Sequence, residues 1–181
     1  MGLIKVNSRE DFLKEVNKKI PHNSYIVELG VLRGEFSSLI LQYCLPRELI
    51  LIDPFMPSDT KYQDGLTTAY STTEDLLVVK NKFDGDGRIR IIVAYSNEIV
   101  ASMRNNYFDL IYIDASHLYE DVKTDLNQWS KKLIDGGILA GHDYIKNKDF
   151  GVIQAVDEFC LEHDLEIFIL NENGGDWAII V

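Results

Sequence analysis

The sequence predicts an α/β fold in three layers, with helices on both faces of a mostly parallel, seven-stranded sheet. Three observations predict it. Short apolar runs alternate with stretches of helical period along most of the chain. Runs such as Leu49-Ile50-Leu51-Ile52 are continuously apolar, which marks a strand covered on both faces. The last two runs are joined only through Asn173-Gly174-Gly175. That is too short for a crossover helix, so they form a hairpin and one strand runs antiparallel.

The elements follow in order. Ser8 caps a first helix, with Asp11 three residues on to return the bond, and Phe12, Leu13, Val16 and Ile20 form its apolar stripe before Pro21 ends it. Tyr25 to Leu29 reads as the first strand and Glu35 to Tyr43 as a helix, and Leu49 to Ile52 is the second strand. Residues 54–71 carry Pro54, Pro57, Gly65 and many polar residues that break any period, so they form a loop. Thr72 with Asp75 opens the next helix, which Gly85 and Gly87 end. A strand over Ile89 to Val93, a short helix over Asn97 to Arg104 and a strand over Phe108 to Ile113 come next. Val122, Leu126, Trp129 and Leu133 recur at helical spacing, and Gly136-Gly137 turns into a strand over Ile138 to Ala140. Val152, Val156, Phe159 and Cys160 stripe a last helix, and strands over Glu166 to Leu170 and Trp177 to Val181 close the chain.

The bulk composition narrows the function. The 181 residues suffice for one domain with a full core, which we take to span the whole sequence. A formal net charge of −11 opposes binding to nucleic acid or to an anionic membrane, both of which demand cations. Cys44 and Cys160 sit in apolar helical stretches as small hydrophobes, without the spacing of a disulfide framework or a thiolate metal site. The N-terminus lacks the layout of a signal peptide and no apolar run is long enough to span a bilayer, so the expected location is cytoplasmic.

In an open α/β sheet, ligands bind beyond the carboxyl ends of the strands, where the strand order reverses. Glu28, Asp53, the segment Ala94 to Ser96, Asp114, and His142 with Asp143 all fall at such ends. Gly30 and Gly34 turn the chain sharply into a helix whose free N–H groups suit a carboxylate. A dinucleotide requires Gly-x-Gly-x-x-Gly there, and Val31 and Leu32 crowd a diphosphate. Asp53 is placed to accept ribose hydroxyls. The layout suits a ligand with a ribose and a charged amino-acid end.

Glu28-x-Gly30-x-x-x-Gly34 with Asp53 resembles the cofactor-binding pattern of class I S-adenosylmethionine-dependent methyltransferases. The segments Ile113 to Leu126 and Leu133 to Tyr144 narrow the resemblance to the small-molecule O-methyltransferase branch labelled family 24, which is related to metal-dependent sugar and macrolide O-methyltransferases. It extends from Tyr25 to the C-terminus and implies a Rossmann-like methyltransferase fold with an antiparallel last pair. It also implies that Gly30, with Glu28, Gly34 and Asp114 nearby, lines the methionine part of S-adenosyl-L-methionine. Asp53 then holds the ribose, and Tyr95 and Ser96 border the adenine.

Asp114 and Asp143 end successive strands and converge on one crevice, which suits a hard divalent cation such as Mg²⁺. Relatives in the metal-dependent branch often add a further acidic or Asn ligand, for which Asp149 is a candidate here. His117 precedes a helix whose positive end disfavours imidazolium, so it is expected to be a neutral general base, with Asp114 as the other catalytic residue. Each has a plainer alternative: Asp114 as a helix cap, His117 as a loop histidine. His142 and Tyr144, with Phe55, Met56, Tyr62 and Tyr70 of the 54–71 loop, are expected around the acceptor. Glu120, Asp121 and Asp125 are expected on a solvated helix face, Trp129 in the core, and His22 and His163 on the surface. The expected activity is O-methylation of a small hydroxylated acceptor, a sugar or a secondary metabolite, and the terminal hairpin offers an edge for a homodimer. The alternatives are a cofactor-binding partner protein without turnover and, against the glycine pattern, a nicotinamide-dependent oxidoreductase.

Overall fold

The structure is a computed structural model and describes residues 2–57, 71–147 and 150–181. Its elements are β1 (Ile4–Val6), α1 (Arg9–Asn17), β2 (Tyr25–Leu29), α2 (Glu35–Tyr43), β3 (Glu48–Asp53), α3 (Thr73–Lys82), β4 (Ile89–Val93), α4 (Ser96–Ile99), β5 (Phe108–Ile113), α5 (Tyr119–Trp129), β6 (Leu133–Gly141), α6 (Val152–His163), β7 (Ile167–Asn171) and β8 (Trp177–Ile180). They form one sheet in the order β1-β7-β8-β6-β5-β2-β3-β4, with β8 antiparallel to both neighbours and every other pair parallel. Among the described residues, no helix is long and apolar enough to cross a membrane.

Alternation along the strands splits the core into two layers. Ile26, Leu49, Leu51, Leu110 and Tyr112 pack against Phe12, Leu13 and Val16 of α1 and Phe36 and Ile40 of α2. Val27, Ile50, Ile111 and Leu139 pack against Leu126 and Trp129 of α5 and Val156 and Phe159 of α6. Such central strands are covered on both faces, so the continuous apolar runs were the correct signal for them.

Local capping starts the helices where the sequence indicated. The Ser8 hydroxyl accepts from the Asp11 N–H at 3.1 Å, but the Asp11 side chain bonds Lys14 instead of returning to the cap. At α3 the reciprocal box is complete, with Thr72 and Asp75 each bonding the other's backbone.

Three expectations change. An eighth strand, β1, pairs with β7 in the register Ile4 to Ile169 and Val6 to Asn171. Three residues carry too little pattern to announce a strand. This strand pairs along Ile169 to Asn171 at the outer edge of the C-terminal hairpin, while β8 lies inside the sheet. The helix read through Leu133 stops at Trp129, passes through a 3-10 turn over Ser130–Lys132 and becomes β6, because Leu133 pairs with Phe108 of β5. The helix expected over Asn97 to Arg104 is shorter and ends in a 3-10 turn at Val100–Ser102.

The strand order reverses between β2 and β5, whose carboxyl ends lie side by side. The Asp114 N–H donates to the Leu29 carbonyl at 2.7 Å and the Gly30 N–H to the Ile52 carbonyl at 2.9 Å. Gly30 has a φ of +85°, and a Cβ there would lie 1.9 Å from the Asp114 carbonyl oxygen. Gly30→Ala is therefore expected to destabilise the protein by at least about 2 kcal/mol. Gly87→Ala, at a glycine with open space around it, should stay within about 0.5 kcal/mol of the parent. Urea denaturation of the two variants checks this.

Candidate active site

Beyond the ends of β2 and β5 the loops diverge and leave a cavity of about 800 Å³, within the range of roughly 300–1,000 Å³ usual for small-molecule sites. Of the residues singled out from the sequence, Glu28, Gly30, Asp53, Tyr95, Ser96, Asp114 and His117 border it. Gly34, His142, Asp143 and Tyr144 do not.

The turn after β2 differs in detail from the expectation. The missing side chain of Gly30 makes room for the Asp114 carbonyl, and that of Gly34 for the Phe83 ring, 2.7 Å from where a Cβ would lie. Both glycines are thus required by packing within the protein, and Gly34 stands away from the cavity. Leu32 takes a φ of +51°, which turns two successive N–H groups inward. Val31 and Leu32 donate to Asp53 Oδ2 at 2.8 and 3.3 Å. These two N–H groups, just ahead of α2, are therefore used by the protein itself.

Asp53 is 3% exposed. Besides these two donors, its Oδ2 accepts from the Ser71 hydroxyl at 2.6 Å and its Oδ1 from the Phe55 N–H at 2.9 Å. Asp53 therefore ties the β2 turn to both ends of the 54–71 loop, which Met56 and Thr72 also clasp through a backbone bridge. Its Oδ1 retains accepting capacity toward the cavity. Phe55 is buried rather than available to an acceptor, while Met56 borders the cavity. Tyr62, Tyr70 and Asp149 lie outside the described residues.

Acids dominate the cavity wall. Glu28, Glu35, Asp53, Asp114, Asp121 and Asp125 border it, against Arg9 as the one arginine or lysine among the described lining residues. Glu28 projects from β2 toward α2, where the Ser37 hydroxyl donates to its Oε2 at 2.5 Å. Burial pushes Glu28 up to about 8; the Ser37 bond and Arg9 oppose the shift, and Asp114 and Asp53 add to it. Asp125 is 3% exposed, which corrects its assignment to a solvated face. It accepts from the Ser96 hydroxyl at 2.7 Å. Burial raises it to about 6, against that bond and with help from Asp121. Glu120 and Asp121 are exposed as expected. The helical stripe Val122, Leu126, Trp129 leaves Asp125 near the buried side, a signal available in the sequence and passed over because of its charge.

At the far end of the cavity, Asp114, His117 and Asp143 bring one donor atom each within 4.8 Å of one another. His117 Nε2 lies 2.8 Å from Asp143 Oδ2 and 3.9 Å from Asp114 Oδ1. His142 Nδ1 lies 3.0 Å from the same Asp143 oxygen and 3.7 Å from Asp114 Oδ1. The Phe150 ring stacks on the His117 imidazole with 4.5 Å between centroids. This revises the reading of His117 as a neutral base. Burial disfavours its charge, but Asp114 and Asp143 outweigh burial and raise it to about 9. The helix end acts against two carboxylates in contact and loses. Burial likewise works against the Asp143 charge, and the two histidines hold that carboxyl well below its usual range. Close as it is to Asp143, His117 Nε2 is buried without an aligned hydrogen-bond partner. An orphaned imidazole nitrogen facing two carboxylates fits a divalent cation, for which His117 would be a third ligand beside Asp114 and Asp143.

Two further assignments move. The Tyr144 hydroxyl bonds Asp157 of α6 at 2.6 Å, and the residue stands outside the described lining of the cavity. His142 joins the carboxylate cluster instead of the cavity wall. His22 and His163 are exposed and Trp129 is fully buried, as expected. Burial raises the Cys44 and Cys160 thiols to about 12 and about 11, which leaves neither as a nucleophile. Arg9 was missed altogether. At the start of α1 it reads as an ordinary surface residue, and only the docking of α1 brings it to the cavity.

Comparison with known proteins follows from this geometry. The family model of methyltransferase family 24, described as a methyltransferase domain, matches residues 27–144. No curated protein sequence matches the chain. Among solved structures, the O-methyltransferase NovP is similar with a TM-score of 0.68 at 19% identity, over 93% of this chain and 78% of that one. The calicheamicin methyltransferase CalS11 is similar with a TM-score of 0.63 at 20% identity, over 94% and 76%. Fibrillarin of Aeropyrum pernix, solved with natively bound S-adenosyl-L-methionine, is similar with a TM-score of 0.59 at 14% identity, over 90% and 67%. At such identities these three likenesses speak to the fold.

The Glu28 carboxyl gives a pH prediction. An acid raised from 4.5 to about 8 is protonated in the folded chain and ionised in the unfolded chain between those values. Its contribution to stability is fully present below pH 4.5 and is lost as pH rises through about 8. Denaturant midpoints should therefore fall between pH 5 and pH 7 in the parent, by an amount on the order of 3 kcal/mol for this group. Glu28→Gln, which keeps an acceptor for Ser37, should flatten that slope. Equal slopes in the two proteins would contradict the assignment.

Proposed function

This chain belongs to methyltransferase family 24, and we propose that it transfers a methyl group from S-adenosyl-L-methionine to a hydroxyl oxygen of a small acceptor, a sugar or a secondary metabolite. The observation that carries the reading is the charge of the cavity. Six acidic side chains, of which burial keeps Glu28 protonated at neutral pH, and one arginine line it among the described residues. The cofactor bears a sulfonium and an ammonium against a single carboxylate, a net positive charge that this wall attracts. A dinucleotide brings two phosphate charges into the same wall and is repelled. NovP is by name an O-methyltransferase and CalS11 a calicheamicin methyltransferase, and both support an oxygen acceptor on a small molecule.

In this reading the ribose lies toward Asp53 and the adenine toward Tyr95, Ser96 and Asp125. The sulfonium methyl faces the cluster of Asp114, His117 and Asp143. The acceptor oxygen attacks the methyl carbon in line with the S–C bond, that bond breaks, and S-adenosylhomocysteine leaves. Most of the rate comes from holding the two partners in that line. Asp114 is the carboxylate of the cluster that borders the cavity, so it is placed to take the hydroxyl proton. His117 and His142 hold Asp143 between them. A divalent cation such as Mg²⁺ would be held by Asp114, His117 and Asp143, and when bound would act as a Lewis acid that makes the hydroxyl more acidic.

Titration calorimetry is expected to show binding of S-adenosylhomocysteine and none of NAD. Methyl transfer from labelled cofactor to a panel of sugars, nucleotide sugars and phenols should yield at least one product. His117→Ala and Asp143→Asn should each cut that transfer by about 10²-fold or more while cofactor affinity stays within about threefold. Cofactor binding without transfer to any hydroxylated compound would favour a binding protein without turnover.

A further inference from the structure

Arg9 is held in the cavity wall in a way that α1 alone does not require. Its Nε donates to Asp176 Oδ1 at 3.1 Å, and its Nη2 donates to the Tyr112 hydroxyl at 2.6 Å and to Asp114 Oδ2 at 3.3 Å. The Phe36 ring covers one face of the guanidinium at 4.0 Å. These contacts use three of its five N–H donors, and the pair on Nη1 has no acceptor among the described residues. The side chain is 29% exposed and borders the cavity. The result is a planar cation fixed on one face and one edge in the cavity wall, with its Nη1 donors left over.

We infer that Arg9 is the anchor for the carboxylate of the cofactor's amino-acid end. The inference rests on the cofactor reading above. Two observations lead to it. The N–H groups of Val31 and Leu32 in the β2 turn donate to Asp53 and so do not serve such a carboxylate. And Arg9 is the one arginine or lysine among the described residues of a wall of acids. Guanidinium matches carboxylate with two parallel hydrogen bonds. The neighbouring charges are compatible. Asp176 is fully buried and does not border the cavity, so its charge is spent on Arg9. Asp114, beside Arg9, borders the cavity and adds negative charge where the ligand's ammonium would lie. Cation and anion on the protein then face anion and cation on the amino-acid end. Arg9 and Asp176 both lie outside the matched family segment of residues 27–144, so α1 and the C-terminal hairpin supply a part of the site that the matched segment lacks.

The test compares three ligands by calorimetry on the full chain: S-adenosylhomocysteine, its decarboxylated analogue, and 5′-methylthioadenosine, which has no amino-acid end. In the parent protein, removal of the carboxylate is expected to weaken binding by about 10- to 100-fold. Arg9→Gln is expected to weaken S-adenosylhomocysteine by a similar factor while leaving the other two ligands within about threefold. Arg9→Lys should fall between, because a point charge replaces the fork. The inference is overturned if the parent binds the decarboxylated analogue as tightly as S-adenosylhomocysteine. It is also overturned if Arg9→Gln weakens all three ligands equally, which is the mark of a residue that only docks α1. The ligand comparison in the parent can overturn the inference even if the variants fail to fold, and Arg9→Lys, which keeps the charge, assigns the contact to Arg9. Failure of the parent to bind any of the three would refute the cofactor reading itself, and this inference with it. Binding of methylthioadenosine with no gain from the carboxylate would refute this inference alone.

Discussion

The site depends on the close apposition of two strand ends. β2 and β5 are neighbours in the sheet but far apart in sequence, and their chains part just where the Gly30 Cα meets the Asp114 carbonyl. The absence of a side chain at Gly30 lets the backbones touch, and the hydrogen bond from Asp114 N–H to the Leu29 carbonyl locks them at that spacing. Past this contact one chain turns into α2 and the other toward α5, and the gap between them is the cavity. A displacement of either end would shift Asp114, and with it the relation between the acids of the cavity wall and the histidines behind them.

A second constraint concerns where buried charge is satisfied. Asp53 and Asp114 look alike in sequence, each an acid at a strand end. Asp53 is surrounded by donors from its own turn and from both ends of the adjoining loop. It organises the cavity as much as it faces it. Asp114 is shared among Arg9, His117 and His142, which sets a cationic group on one side of it and imidazoles on the other. The same residue type thus serves as a scaffold in one place and as the shared partner of an arginine and two histidines in the other. The difference arises from what each strand end packs against.

Much of the fold was legible. Continuous apolar runs marked the central strands, because those strands lie between two helical layers. Capping residues at Ser8 and Thr72 marked helix starts, because the orphan N–H groups of a first turn need local acceptors. The short link before Trp177 marked the antiparallel pair. The strand ends carrying Glu28, Asp53, Asp114 and Asp143 were placed correctly, since polar residues that interrupt apolar runs stand where a sheet opens to a crevice. What failed was short or charge-laden. Ile4–Val6 has too few residues to show a period, Leu133 fits a helix stripe and a strand start equally well, and Asp125 is buried despite its charge because Ser96 meets it.

By itself the sequence determined which segments are strands and helices, that the sheet is mainly parallel, and that acids gather at its carboxyl edge, because these follow from local periodicity and from the position of polar residues at the ends of apolar runs. Only the tertiary structure decided that His117 stands between two carboxylates that favour its charged form, that the glycines of the first turn make room for a strand-end carbonyl and for the Phe83 ring, and that Arg9 from the N-terminal helix reaches the cavity. Each of these is set by groups brought together from distant parts of the chain. Burial and pairwise electrostatics depend on distance in space, and a sequence records only distance along the chain.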